Sequence, residues 1–216
     1  MVKAVNQPKR TRREQAAATK ERMIRAAIEV FTGSGYVGAR MGDIAHRAGV
    51  AVQTVYFTFH TKAELLQACF DFAVLGPERL PPMEQPFYAD LLAARSGRAA
   101  IAAFVAGNTA ILARVAAIKE VAESAPHEPE AAAVVANSER LRREGLAQIV
   151  GLVGDRFGLR AGLNVDEATD LLLMLSSSGP YLTLQRYGWS DEKYMGWLTD
   201  ALARLLLARP GRGTER

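Results

Sequence analysis

Residues 41–59, MGDIAHRAGVAVQTVYFTF, constrain this chain more than any other stretch. Met41, Ile44, Ala45 and Ala48 recur at i, i+3, i+4 and i+7, the spacing of one helical face. Gly49 ends that short helix, being the residue that most readily takes a left-handed turn. A second short helix runs from about Ala51 to Phe57. Ala45 is small where the two must cross, and Ile44, Ala48, Val50, Val55 and Phe59 give the pair an apolar underside. That underside needs a third helix to cover it. Ile24, Ala27, Ile28 and Phe31 supply one over about residues 19–33, stopped at Gly33-Ser34-Gly35. A fourth helix opens at Thr61, where Thr61 and Glu64 have capping-box spacing and Leu65, Leu66 and Phe70 follow.

The outer face of the second short helix carries Val52, Gln53, Tyr56 and Phe57. A valine and two aromatics are poor choices for a solvated face. They suit a face that enters a DNA major groove, and they also suit core packing. Charge bears on the choice. Residues 1–80 hold twelve Lys/Arg against seven Asp/Glu, while the remainder is nearly neutral. Lys3, Lys9, Arg10, Arg12 and Arg13 precede the first helical pattern. Residues 1–18 therefore read as a basic flexible arm, either an electrostatic footprint for nucleic acid or a solvated tail.

The rest of the chain is helical in pattern, so the fold class is all-α: a three-helix helix-turn-helix domain followed by a larger helical domain. Four of the nine prolines fall within Gly76–Pro86, which divides a module at residues 19–75 from a domain at residues 87–208. The helices expected there are Phe87–Arg95, Arg98 to about Ala125, Pro129 to about Phe157, Val165–Arg186 and Asp191–Ala208. Gly179-Pro180 should kink or break the fourth of them.

Several function classes fit poorly. The apolar run at residues 171–175 is far too short to span a membrane, and the first twenty residues lack the apolar segment of a secretory signal. Cys69 is the only cysteine, which excludes an internal disulfide and suits a reducing cytoplasm. It lies within an apolar helix face and reads as core rather than nucleophile. His127 lies near Glu123 and Glu128, a spacing that suits a solvated turn better than a metal site. With no phosphate-binding glycine loop and no GxSxG motif, no enzyme, metal or cofactor is expected.

Arg22–Leu66 resembles the DNA-binding domain of the TetR family of transcriptional regulators. The resemblance rests on Ala26-Ala27, Phe31, Gly35-Tyr36, Asp43-Ile44-Ala45, Ala48-Gly49-Val50, Thr54-Val55-Tyr56, Phe59, Lys62 and Leu65-Leu66. Gly188-Trp189-Ser190, Tyr194 and Trp197-Leu198 resemble the start of the last helix in many members. The resemblance implies a cytoplasmic, ligand-responsive repressor that binds a palindromic operator in double-stranded DNA as a homodimer. Tyr56 and Lys62 would meet phosphates, Thr54 a phosphate or base edge, and Val52, Gln53 and Phe57 would read bases. The family usually has polar residues near Ala39 and Arg40, at Gly42 and at Ala51, so here the phosphate contact would fall to Arg40 and the basic arm.

For the larger domain the resemblance implies a small-molecule effector. The apolar composition suggests a lipophilic one with one or two polar handles. Phe104, Asn108, Ile111, Asn137, Met174, Ser178 and Tyr181 are candidate pocket residues. The small residues Ala102, Ala103, Ala106, Gly107 and Ala110 serve equally to leave a pocket or to let helices pack closely. The last helix is apolar over a wide arc, and such a helix must bury two sides. Leu182, Trp197, Ala201 and Leu205 are candidates for the dimer surface. The alternatives are a nonspecific nucleic-acid-binding protein, and a small-molecule-binding helical protein without operator specificity.

Overall fold

The computed structural model describes residues 11–76 and 78–208. Among them the regular structure is ten α-helices and one short 3-10 helix, with no strand. The helices are α1 (Arg12–Gly38), α2 (Met41–Ala48), α3 (Val52–Phe59), α4 (Lys62–Leu75), α5 (Pro86–Ala93), α6 (Gly97–Glu123), α7 (Pro129–Phe157), α8 (Val165–Leu175), α9 (Ser178–Arg186) and α10 (Asp191–Leu206). This is the all-α arrangement expected, with a small helix-turn-helix domain and a larger helical domain.

Three expectations about helix limits change. The glycine stop at Gly33-Ser34-Gly35 is a kink at Gly35, φ 70°, and α1 resumes to Gly38. The first helix begins at Arg12, where the Thr11 hydroxyl accepts from the Glu14 N–H and the Glu14 carboxylate accepts from the Thr11 N–H. Residues 12–18 of the expected arm are therefore helix, held by a capping box that the sequence spells as Thr-x-x-Glu. Lys3, Lys9 and Arg10 lie outside the described residues. The helix expected over Val165–Arg186 is two helices, and it breaks at Ser176-Ser177 rather than at Gly179-Pro180. Pro180 sits in the first turn of α9, where its missing N–H costs nothing. The proline shapes a helix start instead of breaking a helix interior. At Thr61 only half of the expected capping box forms. The Thr61 hydroxyl takes the Glu64 N–H, but the Glu64 side chain turns to His60 Nδ1 at 3.0 Å.

Two cores hold the chain together. The first joins Phe31, Ile44, Val55, Phe59, Leu65 and Leu66 of α1–α4 to Ile118, Val121 and Ala122 at the far end of α6. The second gathers Leu91 of α5, Ile101, Phe104 and Val105 of α6, Leu146 and Val150 of α7, Leu172 of α8, and Tyr194, Leu198 and Leu202 of α10. Helices α6 and α7 each have their two ends in different cores, α7 placing Ala131 and Val134 in the first and Leu146, Val150 and Val153 in the second. By length and composition α6 is apolar enough to cross a membrane, but half of the qualifying stretch is buried against the other helices. The small residues of α6 serve close packing. A Cβ on Gly107 would meet the Phe87 ring of α5 at 2.1 Å, so only glycine lets the two helices lie this close. The chain after α10 is clipped to the α7–α8 turn by Arg160 N–H to Leu206 O at 2.8 Å and Ala208 N–H to Gly158 O at 3.2 Å.

Ile118 is fully buried where α6 meets the first core. Ile118→Ala should lower unfolding stability by about 2–5 kcal/mol, the usual cost of a truncated core isoleucine. Urea denaturation of the purified variant reads this directly.

Candidate nucleic-acid interface

Helix α2 ends at Gly49, whose φ of 66° and ψ of 41° are left-handed. The Val50 N–H then reaches the Ala45 carbonyl at 3.0 Å and turns the chain into α3. The turn presses one face of α3 inward, burying Val55 and Phe59. The opposite face stays outside. Val52 is 39% exposed, Tyr56 49% and Phe57 86%. Gln53 is exposed beside them and Thr54 is half-buried. The alternative that Tyr56 and Phe57 are core aromatics does not survive these exposures. Tyr36, by contrast, is buried against Phe31, with ring centroids 5.9 Å apart.

The neighbouring helices carry cations. Arg40 is exposed at the N-cap of α2, with its backbone carbonyl accepting from Asp43 and Ile44. Lys62 is the first residue of α4. Its ammonium donates to the Tyr36 carbonyl at 2.8 Å and lies 4.4 Å from the Tyr36 ring centroid. That bond steers the lysine beside the α4 N-terminus, and an ammonium with three donors keeps others for a phosphate. Arg12 and Arg13 are exposed on the first turn of α1, so they are presented by a helix rather than by a flexible tail.

The candidate effector residues do not converge on one cavity. Phe104 borders a narrow void between α6, α7, α8 and α10, with about 20 Å³ of room, enough for one water. Asn108 is buried and donates to the Ser176 carbonyl at 3.0 Å. Ser178 and Tyr181 are buried, with the Tyr181 hydroxyl donating to Asp191 at 3.0 Å. Ile111 is half-buried. Asn137 instead ties α7 to α4, donating to Gln67 at 3.2 Å. Met174 is 57% exposed and faces away from the interior.

The apolar arc of α10 splits in two. Tyr194, Leu198, Leu202 and Leu206 are buried in the second core. Trp197 and Leu205 remain exposed one turn and three turns along, with Ala201 half-buried between them and Leu182 half-buried on α9.

Two arginines with evident work were missed in the sequence. Arg114 of α6 donates to the Ala73 carbonyl at 2.8 Å and so caps the end of α4. Burial pulls its pKa down, while Glu78 supports its charge. Arg142 of α7 donates to the Ser176 hydroxyl at 3.1 Å. A signal was present for Arg142: it stands one turn before the apolar stripe Leu146, Ile149, Val150 and Val153. Among the described residues no group of His, Cys, Asp and Glu has the arrangement of a metal site.

Residues 23–69 match the family model for bacterial regulatory proteins of the tetR family. Two proteins of Pseudomonas putida are similar over 91 residues at 40% identity. One is the uncharacterized HTH-type transcriptional regulator TtgW, matched over 42% of this chain and 63% of its own length. The other is the HTH-type transcriptional regulator SrpR, matched over 42% of this chain and 40% of its own length. The chain thus spans less than two thirds of either relative. The fold extends further. NalD, the secondary repressor of the MexAB-OprM multidrug efflux pump in Pseudomonas aeruginosa, superposes with a TM-score of 0.68 at 18% identity, over 89% of this chain and 98% of its own. FadR of Bacillus subtilis, in complex with stearoyl-CoA, superposes with a TM-score of 0.63 at 18% identity, over 84% and 96%. These relatives are regulators rather than enzymes.

Cys69 is fully buried, and burial pushes its thiol pKa up. A low-pKa nucleophile needs the opposite environment. A thiol reagent such as DTNB at pH 8 should therefore leave the native chain unmodified and titrate one thiol after denaturation.

Proposed function

We propose, from the match of residues 23–69 to the family model for bacterial regulatory proteins of the tetR family, that the chain is a TetR-family regulator and a cytoplasmic repressor of transcription. It holds a palindromic operator as a homodimer and is released by a small, mostly lipophilic effector. The observation that carries this reading is the outward face of α3, where Phe57 is 86% exposed beside Tyr56, Val52 and Gln53. Such a face costs solvation in the free protein and is repaid in a groove. Gln53 suits the paired donor and acceptor of adenine, and Val52 and Phe57 suit thymine methyls. Tyr56, Lys62 and Arg40 stand where phosphates pass and set the register.

One such domain reads only a half-site, so a second copy is needed for a palindrome. The exposed side of α10, with Trp197, Ala201 and Leu205, supports a paired surface, and Leu182 on α9 extends it. Release needs a path from the larger domain to α3. Helix α6 supplies it, because Arg114 and Ile118 grip α4 and the first core while Ile101 and Phe104 lie in the second core. An effector that shifts α6 changes the spacing of the two reading heads.

The chain should retard DNA from upstream of its own gene in a gel shift, with affinity falling steeply as salt rises. Tyr56→Ala and Lys62→Ala should each weaken binding about tenfold or more, and Lys62→Ala should lower the salt slope by about one. Equal affinity for unrelated DNA would contradict operator recognition and favour the nonspecific binder.

A further inference from the structure

The second core contains an arginine that forms no ion pair among the described residues. Arg142 enters it from α7 and, among the described residues, hydrogen-bonds only to Ser176, at the carbonyl and at the hydroxyl, 3.1 Å for the latter. Burial pulls its pKa down, so the site taxes the positive charge. Glu139, one turn away on α7, supports this charge electrostatically, but its carboxylate is engaged by the Lys119 ammonium. Asp191 is engaged by the Tyr181 hydroxyl at 3.0 Å and by the Gln185 amide at 2.5 Å. No ion pair to Arg142 forms among the described residues, although exposed arginines such as Arg140 and Arg143 have theirs.

A second group is left over beside it. The Tyr194 hydroxyl is buried and has no hydrogen-bond partner among the described residues. Burial pushes its pKa up to about 12, and the charge of Arg142 works against that rise, which puts the two within electrostatic range. A protonated phenol and a guanidinium are both donors. Asn108 Nδ2, also buried here, donates to Ser176 at 3.0 Å. The cluster is rich in donors and lacks an anionic acceptor.

The same helices are apolar further along. Phe104 lies one turn before Asn108 and Ile101 two turns before it, and Leu172 lies one turn before Ser176. Those three side chains border the narrow void, together with Val150 and Val153 of α7. Polar cluster and void are thus about 6–10 Å apart along α6 by helix rise. The void is too small for a tail as it stands, so a ligand must part α6 from α7, α8 and α10.

We propose that the larger domain binds an amphipathic carboxylic acid as its anion, with the carboxylate on Arg142 and Tyr194 and the apolar tail in the space between Phe104 and Leu172. The planar guanidinium matches a carboxylate edge to edge. This gives the effector of the preceding subsection a chemical class and rests on that reading for its regulatory meaning. Binding itself does not depend on DNA.

The test is calorimetric titration of the full chain with octanoate and, separately, with octanol, which share a tail and differ in charge. Octanoate should bind about tenfold or more tightly than octanol. Arg142→Met should erase the difference by weakening octanoate while leaving octanol unchanged. Tyr194→Phe should weaken octanoate by a smaller factor. Equal affinities in the unaltered chain, no binding of octanoate by it, or an undiminished preference in folded Arg142→Met would each overturn the proposal. If Arg142→Met fails to fold, the comparison in the unaltered chain decides alone. A chain that prefers octanoate yet selects no DNA would keep the acid site and refute the repressor, and the converse would do the reverse.

Discussion

The burial of α6 in two cores is the constraint on which the other contacts depend. Its first half packs Ile101, Phe104 and Val105 against α7, α8 and α10, and its last turns put Ile118, Val121 and Ala122 beneath α1–α4. Arg114 adds a polar grip on the end of α4 at the crossing. A helix shared this way cannot shift in one domain and stay still in the other without opening a cavity. Close-packed interiors resist that, so motion is passed on rather than absorbed. Gly107 shows how little slack exists, since even a methyl group there would collide with Phe87.

The reading face is a product of the same economy. Gly49 lets α2 and α3 meet at a sharp angle, and Val55 and Phe59 anchor α3 from below. With those positions spent on anchoring, the outward residues are free to be chosen for DNA. Lys62 is held by the Tyr36 carbonyl and ring, which orients a long side chain that would otherwise sample many rotamers. Preorganisation of this kind lowers the ordering cost of a phosphate contact. Because Ala51 and Gly42 bring no side-chain oxygen or charge, the proposed recognition of DNA would rest more on hydrophobic contact through the exposed Val52 and Phe57.

Legibility in the sequence followed the strength of local signals. The helix-turn-helix could be read because Gly49, the i, i+3, i+4 spacing around it and the outward aromatics all point the same way. The split of α8 from α9 could not be placed. Ser176 carries no helix-breaking chemistry, and its break depends on Asn108 and Arg142 taking its carbonyl from other helices. The early start of α1 was written in Thr11 and Glu14 but was masked by the basic run around them. Helical periodicity located the apolar arc of α10, yet only packing separates inward Leu198 and Leu202 from outward Trp197 and Leu205. The candidate effector residues fared least well. Asn137 and Met174 share a helix pattern with pocket-facing positions, and nothing local shows that one binds α4 and the other faces outward.

The central claim is that two copies of α3 read two halves of one site. Selection of bound fragments from a random DNA pool by the full chain tests it most directly, because it presumes neither operator nor effector. The account predicts enrichment of a single inverted repeat with half-sites about one helical turn, or a multiple of it, apart. A pool that remains unenriched, or one that yields no twofold-symmetric sequence, would contradict it.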